Sequence, residues 1–160
     1  MPENAEQIKK AKAYAFLLLK YRPRSIAEFK EKLNKRGFGE DVITELVTDF
    51  KKRGLLDDIK FAKAWIDDRM NLKPMGRLKL KQELKAKGIS EFDIDDVIEG
   101  AKGEIDEYES AKKLAQNRLR QLSGLDKITI KKRLAGFLGR RGFSYDTAAK
   151  AVKETLKNES

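Results

Sequence analysis

Apolar side chains recur along this chain every three or four residues, the spacing of one face of an α-helix. Ile26, Phe29 and Leu33 make one such stripe, and Ile43, Leu46, Val47 and Phe50 make the next. Leu80 with Leu84, followed by Ile94, Val97 and Ile98, repeats the pairing. Leu134 with Leu138, followed by Ala148, Ala151, Val152 and Leu156, repeats it again. A further helix opens each set, over residues 11–19 ahead of Pro23, 59–71 ahead of Pro74, and roughly 104–122 ahead of Ser123-Gly124. No segment alternates apolar and polar residues or gathers β-branched residues as a strand pair does. The pattern predicts nine helices and no sheet, an all-α chain.

The second helix of each set closes in the same way. Leu33-Asn34-Lys35-Arg36-Gly37-Phe38, Leu84-Lys85-Ala86-Lys87-Gly88-Ile89 and Leu138-Gly139-Arg140-Arg141-Gly142-Phe143 all read leucine, two spacers, base, glycine, apolar residue. A glycine just past a helix end takes the left-handed conformation without a Cβ penalty, and the apolar residue after it folds back on the leucine. Gly37, Gly88 and Gly142 are therefore read as structural turns. They lie 51 and 54 residues apart by subtraction, so the unit is about a third of the chain. The repeats are placed at residues 1–57, 58–103 and 104–160, each too small to be comfortable alone and helped by stacked neighbours.

Helix starts are signalled too. Ser25 with Glu28 forms a capping box, Ser90 and Ser144 suit N-caps, and Asp57 and Asp58 suit the start of the fourth helix. Asp93, Asp95 and Asp96 open another helix, where acidic residues complement the dipole. Gly136 and Gly139 fall inside the eighth helix, which implies either close helix packing or a looser third repeat. The connection ahead of that helix, residues 122–129, is the longest of its kind. Trp65 with Phe61, Ala62 and Ile66 has core spacing, as do Tyr14, Phe16 and Phe50.

Composition narrows the chemistry. Among 160 residues there is no Cys and no His. Thiol nucleophiles, imidazole bases, Cys/His zinc sites, iron–sulfur clusters and disulfides are thereby excluded. No phosphate-cradling G-x-x-x-x-G-K-[ST] occurs, and the expectation is a protein without catalytic residues, metal or cofactor. The longest apolar run, residues 13–19, is far short of the roughly 20 a membrane helix needs, so no membrane partner is expected and a reducing cytoplasm fits.

Charge adds a partner. Lys and Arg number 36 against 26 Asp and Glu, a net charge of +10. The segment after Tyr108 holds 13 basic and 5 acidic residues, a surplus of eight. A second cluster contains Lys73, Arg77, Lys79, Lys81, Lys85 and Lys87, opposed only by Glu83. Arg77, Lys81 and Lys85 recur at i, i+4 and i+8, one cationic stripe of the fifth helix. Lys73 with that stripe, and Lys131, Lys132, Arg133, Arg140 and Arg141 in the third repeat, are the candidate partner-binding residues. Arg141 serves equally as a base at a helix C-terminus, and lysine-rich helix faces are also simply solvated.

The joint order of several motifs is more specific than any one of them. Gly54-Leu55-Leu56-Asp57-Asp58 with Phe61-Ala62, Gly76 and Leu84-Lys85-Ala86-Lys87-Gly88-Ile89 resembles the central signature of the RecX regulatory proteins. Arg24-Ser25, Glu28, Leu33 and Arg36-Gly37-Phe38 resemble the first RecX repeat. Phe137-Leu138 with Arg140-Arg141-Gly142-Phe143-Ser144-Tyr145-Asp146 resembles the last. The resemblance implies tandem three-helix repeats in an elongated curved array. It also implies a bacterial, non-enzymatic regulator that lodges along the RecA nucleoprotein filament and damps its ATPase, strand-exchange and coprotease activities. It supplies no catalytic residue. Single- or double-stranded DNA contacted through backbone phosphates is a further expected partner, and a monomer the expected state. The helix-turn-helix look of each repeat and the charge leave open a sequence-specific DNA-binding repressor.

Overall fold

The structure, a computed structural model, describes residues 2–101 and 106–158. It contains α1 (Pro2–Tyr21), α2 (Ile26–Lys35), α3 (Glu40–Lys52), α4 (Asp58–Leu72), α5 (Arg77–Ala86), α6 (Glu91–Gly100), α7 (Glu107–Leu119), α8 (Lys127–Arg140) and α9 (Tyr145–Asn158). A 3₁₀ turn at Arg120–Leu122 extends α7, and the described residues contain no strand. The expected start of the seventh helix at residue 104 and the expected boundary between residues 103 and 104 lie outside the described residues.

The ends of α2, α5 and α8 share one hydrogen-bond pattern. Phe38, Ile89 and Phe143 each donate their N–H to the carbonyl of the leucine five residues before, at 3.2 Å in all three. The glycine amides donate to Asn34, Lys85 and Gly139 at 3.0, 2.9 and 3.0 Å. With φ of +95°, +81° and +89° at Gly37, Gly88 and Gly142, these are complete Schellman endings, which satisfy carbonyls the helix itself leaves open. A fourth ending of the same kind closes α3. Gly54, at φ +73°, donates to Lys51, and Leu55 donates to Phe50. It went unread in the sequence because Leu55 and Leu56 run straight into the acidic start of α4.

The N-termini are capped by side chains. Ser25 and Glu28 form both arms of the capping box of α2. Ser90 accepts from Asp93 N–H at 3.1 Å and Ser144 from Thr147 N–H at 3.3 Å. Asp57 accepts from Lys60 N–H at 3.1 Å and caps α4. Asp58 does not share that duty: its carboxylate turns to α2 and takes the Ile26 N–H at 2.8 Å. Asp126 and Asp106 cap α8 and α7, through Thr129 and Glu109. Because Asp126 starts α8 at Lys127, the connection ahead of it is shorter than the 122–129 expected from the hydrophobic stripe alone.

The packing forms two units. The first comprises Met1–Ala64 and Leu84–Ile94. Its core gathers Phe29, Leu33, Leu46, Phe50 and Leu56, with the Phe29 and Phe50 rings 5.5 Å apart and tilted. Phe16 reaches this core only from its rim: its ring lies 5.0 Å from Phe50 while 43% of the residue stays exposed, against the expectation of a core side chain. The second unit comprises Trp65–Glu83 and Asp95–Ser160. In it, α7 turns two alanines, Ala111 and Ala115, inward; both are fully buried in a cluster with Leu134, Leu138, Ala151 and Val152. Side chains that small let α9 approach closely. Trp65 is half-buried rather than sealed in, its indole N–H donating to Glu83 Oε1 at 3.0 Å and its ring 4.7 Å below Arg69.

Gly136 and Gly139 do lie inside α8. No other helix crowds them: a Cβ at Gly139 would meet nothing within 4 Å, and at Gly136 only the flexible Arg140 side chain. Two helix-interior glycines cost about 1 kcal/mol each relative to alanine, and packing within this chain does not offset that cost.

Candidate partner-binding surface

Each unit contains a place where a Schellman ending seats on the N-terminus of an earlier helix. In the first unit the ending of α5 meets α2. Ser25, fully buried, donates its hydroxyl to the Lys87 carbonyl at 2.7 Å. Glu28 gathers the ammonium of Lys87 at 3.2 Å, the guanidinium of Arg22 at 2.7 Å and the N–H of Ser25 at 3.2 Å. Burial alone pushes the Glu28 carboxyl up, but the hydrogen bonds from Arg22, Ser25 and Lys87 outweigh it and hold the group at about 2, well below its ordinary 4.5. Asp58 is moved the other way: burial raises its pKa, and the Ile26 N–H only partly opposes that.

In the second unit the ending of α8 meets α5. Gly76 N–H donates to the Arg141 carbonyl at 2.8 Å, and Leu78 N–H to the Gly142 carbonyl at 3.2 Å. Arg141 returns a bond from its guanidinium to the Pro74 carbonyl at 3.2 Å. Glu107, at the start of α7, accepts the Arg77 N–H at 3.1 Å, as Asp58 at the start of α4 accepts the Ile26 N–H. The exposed amides of a helix N-terminus are thus taken by the repeat that follows, twice, through the same positions.

These seats decide what several candidate residues do. Arg77 Nε lies 3.2 Å from Glu107 Oε1, a charge contact without good hydrogen-bond alignment. Arg141 is half-buried, bonded to Pro74 and stacked 5.2 Å over Phe137. Both belong to the seat of α8 on α5. Lys81 and Lys85 face Asp95 at 3.5 Å and Glu91 at 3.7 Å. Those pairs are largely exposed, worth 0 to about 1 kcal/mol, and a polyanion can displace the carboxylates. Lys73, Lys131, Lys132, Arg133 and Arg140 are exposed. The structure therefore brings Lys131, Lys132 and Arg133 to consecutive exposed positions of α8 and keeps Lys81 and Lys85 on one stripe of α5, while taking Arg77 and Arg141 into the fold. Of the two carboxylates of α6 that answer α5, the sequence singles out only Asp95, as a dipole complement. Their pairing depends on how the helices cross.

A chain of tandem three-helix repeats, the second and third each seated on the one before through a glycine-closed helix end, with exposed bases on α5 and α8, is an all-α repeat architecture. No described helix is long and apolar enough to cross a membrane. Residues 11–49, 57–98 and 104–152 match, in order, the first, second and third three-helix domains of RecX. The regulatory protein RecX of Amycolatopsis mediterranei is 35% identical over 95% of this chain and 86% of its own length. That of Streptomyces coelicolor is 33% identical over 96% and 81%. A crystal structure of RecX from Lactobacillus salivarius superposes with a TM-score of 0.86 at 24% identity, covering 96% of this chain and 99% of that one, and shares the fold. The chain belongs to the RecX family of regulatory proteins.

Proposed function

We propose that this protein is a non-enzymatic negative modulator of RecA, which binds the RecA–DNA filament in the cytoplasm and lowers its ATPase, strand-exchange and coprotease activities. The observation that carries this reading is the match of all three RecX domains, in order, along nearly the whole chain. The exposed bases of α5 and α8, with Lys73, supply the approach to a polyanionic filament, by phosphate contact, by acidic protein surface, or both.

A repressor that reads one DNA sequence fits less well. The third helix of such a three-helix unit is the one that enters the groove, yet only α9 is basic there: α3 opens on Glu40 and Asp41, and α6 carries Glu91, Asp93, Asp95, Asp96 and Glu99 and no base. Phosphate would repel α6.

The test is a titration of the purified protein into RecA on single-stranded DNA. ATP turnover is expected to fall at less than one copy per RecA, and no fall at equimolar protein overturns the reading. Changing Lys81, Lys85, Lys131 and Lys132 together to Glu should weaken the inhibition at least tenfold with the helical circular-dichroism signal unchanged. Inhibition at the original strength would remove those lysines from the contact.

A further inference from the structure

Between α8 and α9 lies an open groove of about 1070 Å³, larger than a small-molecule site usually is and mainly apolar. Its walls are two helical stripes. Ile128, Ala135 and Gly139 come from α8, and Tyr145, Ala149 and Val152 from α9. Ile128 and Tyr145 are 69% and 86% exposed, although they are large side chains that a solitary fold gains nothing by presenting to water. Along α8 the stripe from Ile128 to Gly139 spans about 16 Å, three turns of a helix laid alongside.

Charge defines the rest. Lys127 and Lys131, in the first turns of α8, and Lys153 and Lys157, in the last turns of α9, also line the groove. Among the described residues no carboxylate does. The lysines come from the ends of the two helices remote from the turn that joins them, and Gly139 and Tyr145 from beside that turn. The groove is therefore apolar toward one end and cationic toward the other.

Gly139 gives the same region a second peculiarity. It lies in the last turn of α8, with no positive φ and nothing within 4 Å of where its Cβ would stand. No contact inside this chain calls for glycine there, and its missing side chain deepens the groove.

We propose that this groove is a docking site for an acidic amphipathic α-helix of a protein partner. Three turns of that helix lay apolar side chains at i, i+3, i+4 and i+7 over Ala135, Gly139 and Ala149, and place carboxylates toward Lys127, Lys131 and Lys153. Helix-in-groove recognition of this kind takes its affinity from the apolar stripe and its orientation from the charges. The proposal does not rest on the RecA reading, although Lys131 is common to both surfaces, since the groove's occupant is defined by chemistry alone.

The test uses the full chain and a fluorescein-labelled 14-residue synthetic peptide with Leu at i, i+3, i+4 and i+7 and Glu at its other positions. Anisotropy is expected to show saturable binding that is at least tenfold weaker for the peptide with Lys in place of Glu. Gly139→Leu fills the groove with an added side chain at an unstrained position, so it should melt no lower than the parent and lose at least tenfold in peptide affinity. Lys131→Glu with Lys153→Glu should weaken binding and reduce its dependence on salt. Equal binding of the two peptides, or undiminished binding by Gly139→Leu, overturns the proposal. So does the result that Gly139→Leu abolishes binding to phosphatidylglycerol vesicles or to an oligothymidylate while the acidic peptide never binds, because the groove then serves lipid or nucleic acid.

Discussion

The seat of α5 on α2 and the seat of α8 on α5 do the same work with different chemistry. The first is made by side chains: a buried serine hydroxyl, a carboxylate with three donors and a lysine. The second is closed chiefly by backbone, with glycine on both sides, and Arg141 and Glu107 only brace it. A Cβ on Gly76 would stand 2.2 Å from the Gly142 carbonyl oxygen, and one on Gly142 would stand 2.3 Å from Lys79 Cβ. At the first seat only the ending is so tight, with Gly88 facing Ala27 at 2.3 Å, and fully buried Ser25 occupies the place that Gly76 has in the other. A polar side-chain seat is sensitive to protonation and tolerant of small shifts. A seat closed by backbone tolerates no added atom.

The largest effect expected from breaking this contrast is at Gly142. Gly142→Val forces a β-branched residue into φ +89° and into backbone of α5, and should cost about 4 kcal/mol or more in chemical denaturation, or prevent folding. Gly76→Ala isolates the steric part, because Gly76 has no positive φ; a loss of about 2–3 kcal/mol is expected, and none would mean the backbone seat is not formed.

Glu28→Gln comes next. It keeps a capping-box side chain but removes the charge that holds Arg22 and Lys87, at a cost of about 2 kcal/mol at pH 7. The pH dependence has a definite sign. A carboxyl held at about 2 in the fold and near 4.5 when unfolded stabilises the protein above pH 4.5, and that contribution drains away as pH falls toward 2. Melting temperatures of parent and Glu28→Gln should therefore converge between pH 4.5 and pH 2; a constant gap would show that the charge is irrelevant to the seat. The smallest effect sharpens the comparison from outside. Gly37, with φ +95° but nothing within 4 Å of its Cβ, has no seat to disturb, so Gly37→Ala should cost only about 1 kcal/mol. Gly88→Ala shares that backbone penalty and adds the contact with Ala27, so it should cost measurably more.

The helix endings were legible because a Schellman motif is local: leucine, base, glycine and apolar residue fall within six positions and the bonds close among them. The three equivalent turns, the capping box at Ser25 and the caps at Ser90 and Ser144 all follow from neighbours in sequence. Asp58 was read as a cap of its own helix, and it caps a helix 32 residues earlier. Arg77 and Arg141 stand out in the sequence as candidate partner contacts because each lies in a basic stretch. Glu107 and Pro74, their partners in the fold, are 30 and 67 residues away from them. Phe16 has core spacing yet stands at the core's edge, since periodicity gives a face and not its depth.

Taken alone, the order of amino acids determined helix number, repeat length, where helices stop and the surplus of positive charge, because each arises from interactions within a few residues or from composition. Only tertiary structure decided which charges remain outward, which glycines are needed for contact rather than for turning, and where an apolar groove is left open. Those outcomes depend on which backbone approaches which, and a carboxylate or carbonyl arriving from tens of residues away changes the work of a side chain without leaving a mark in the sequence around it.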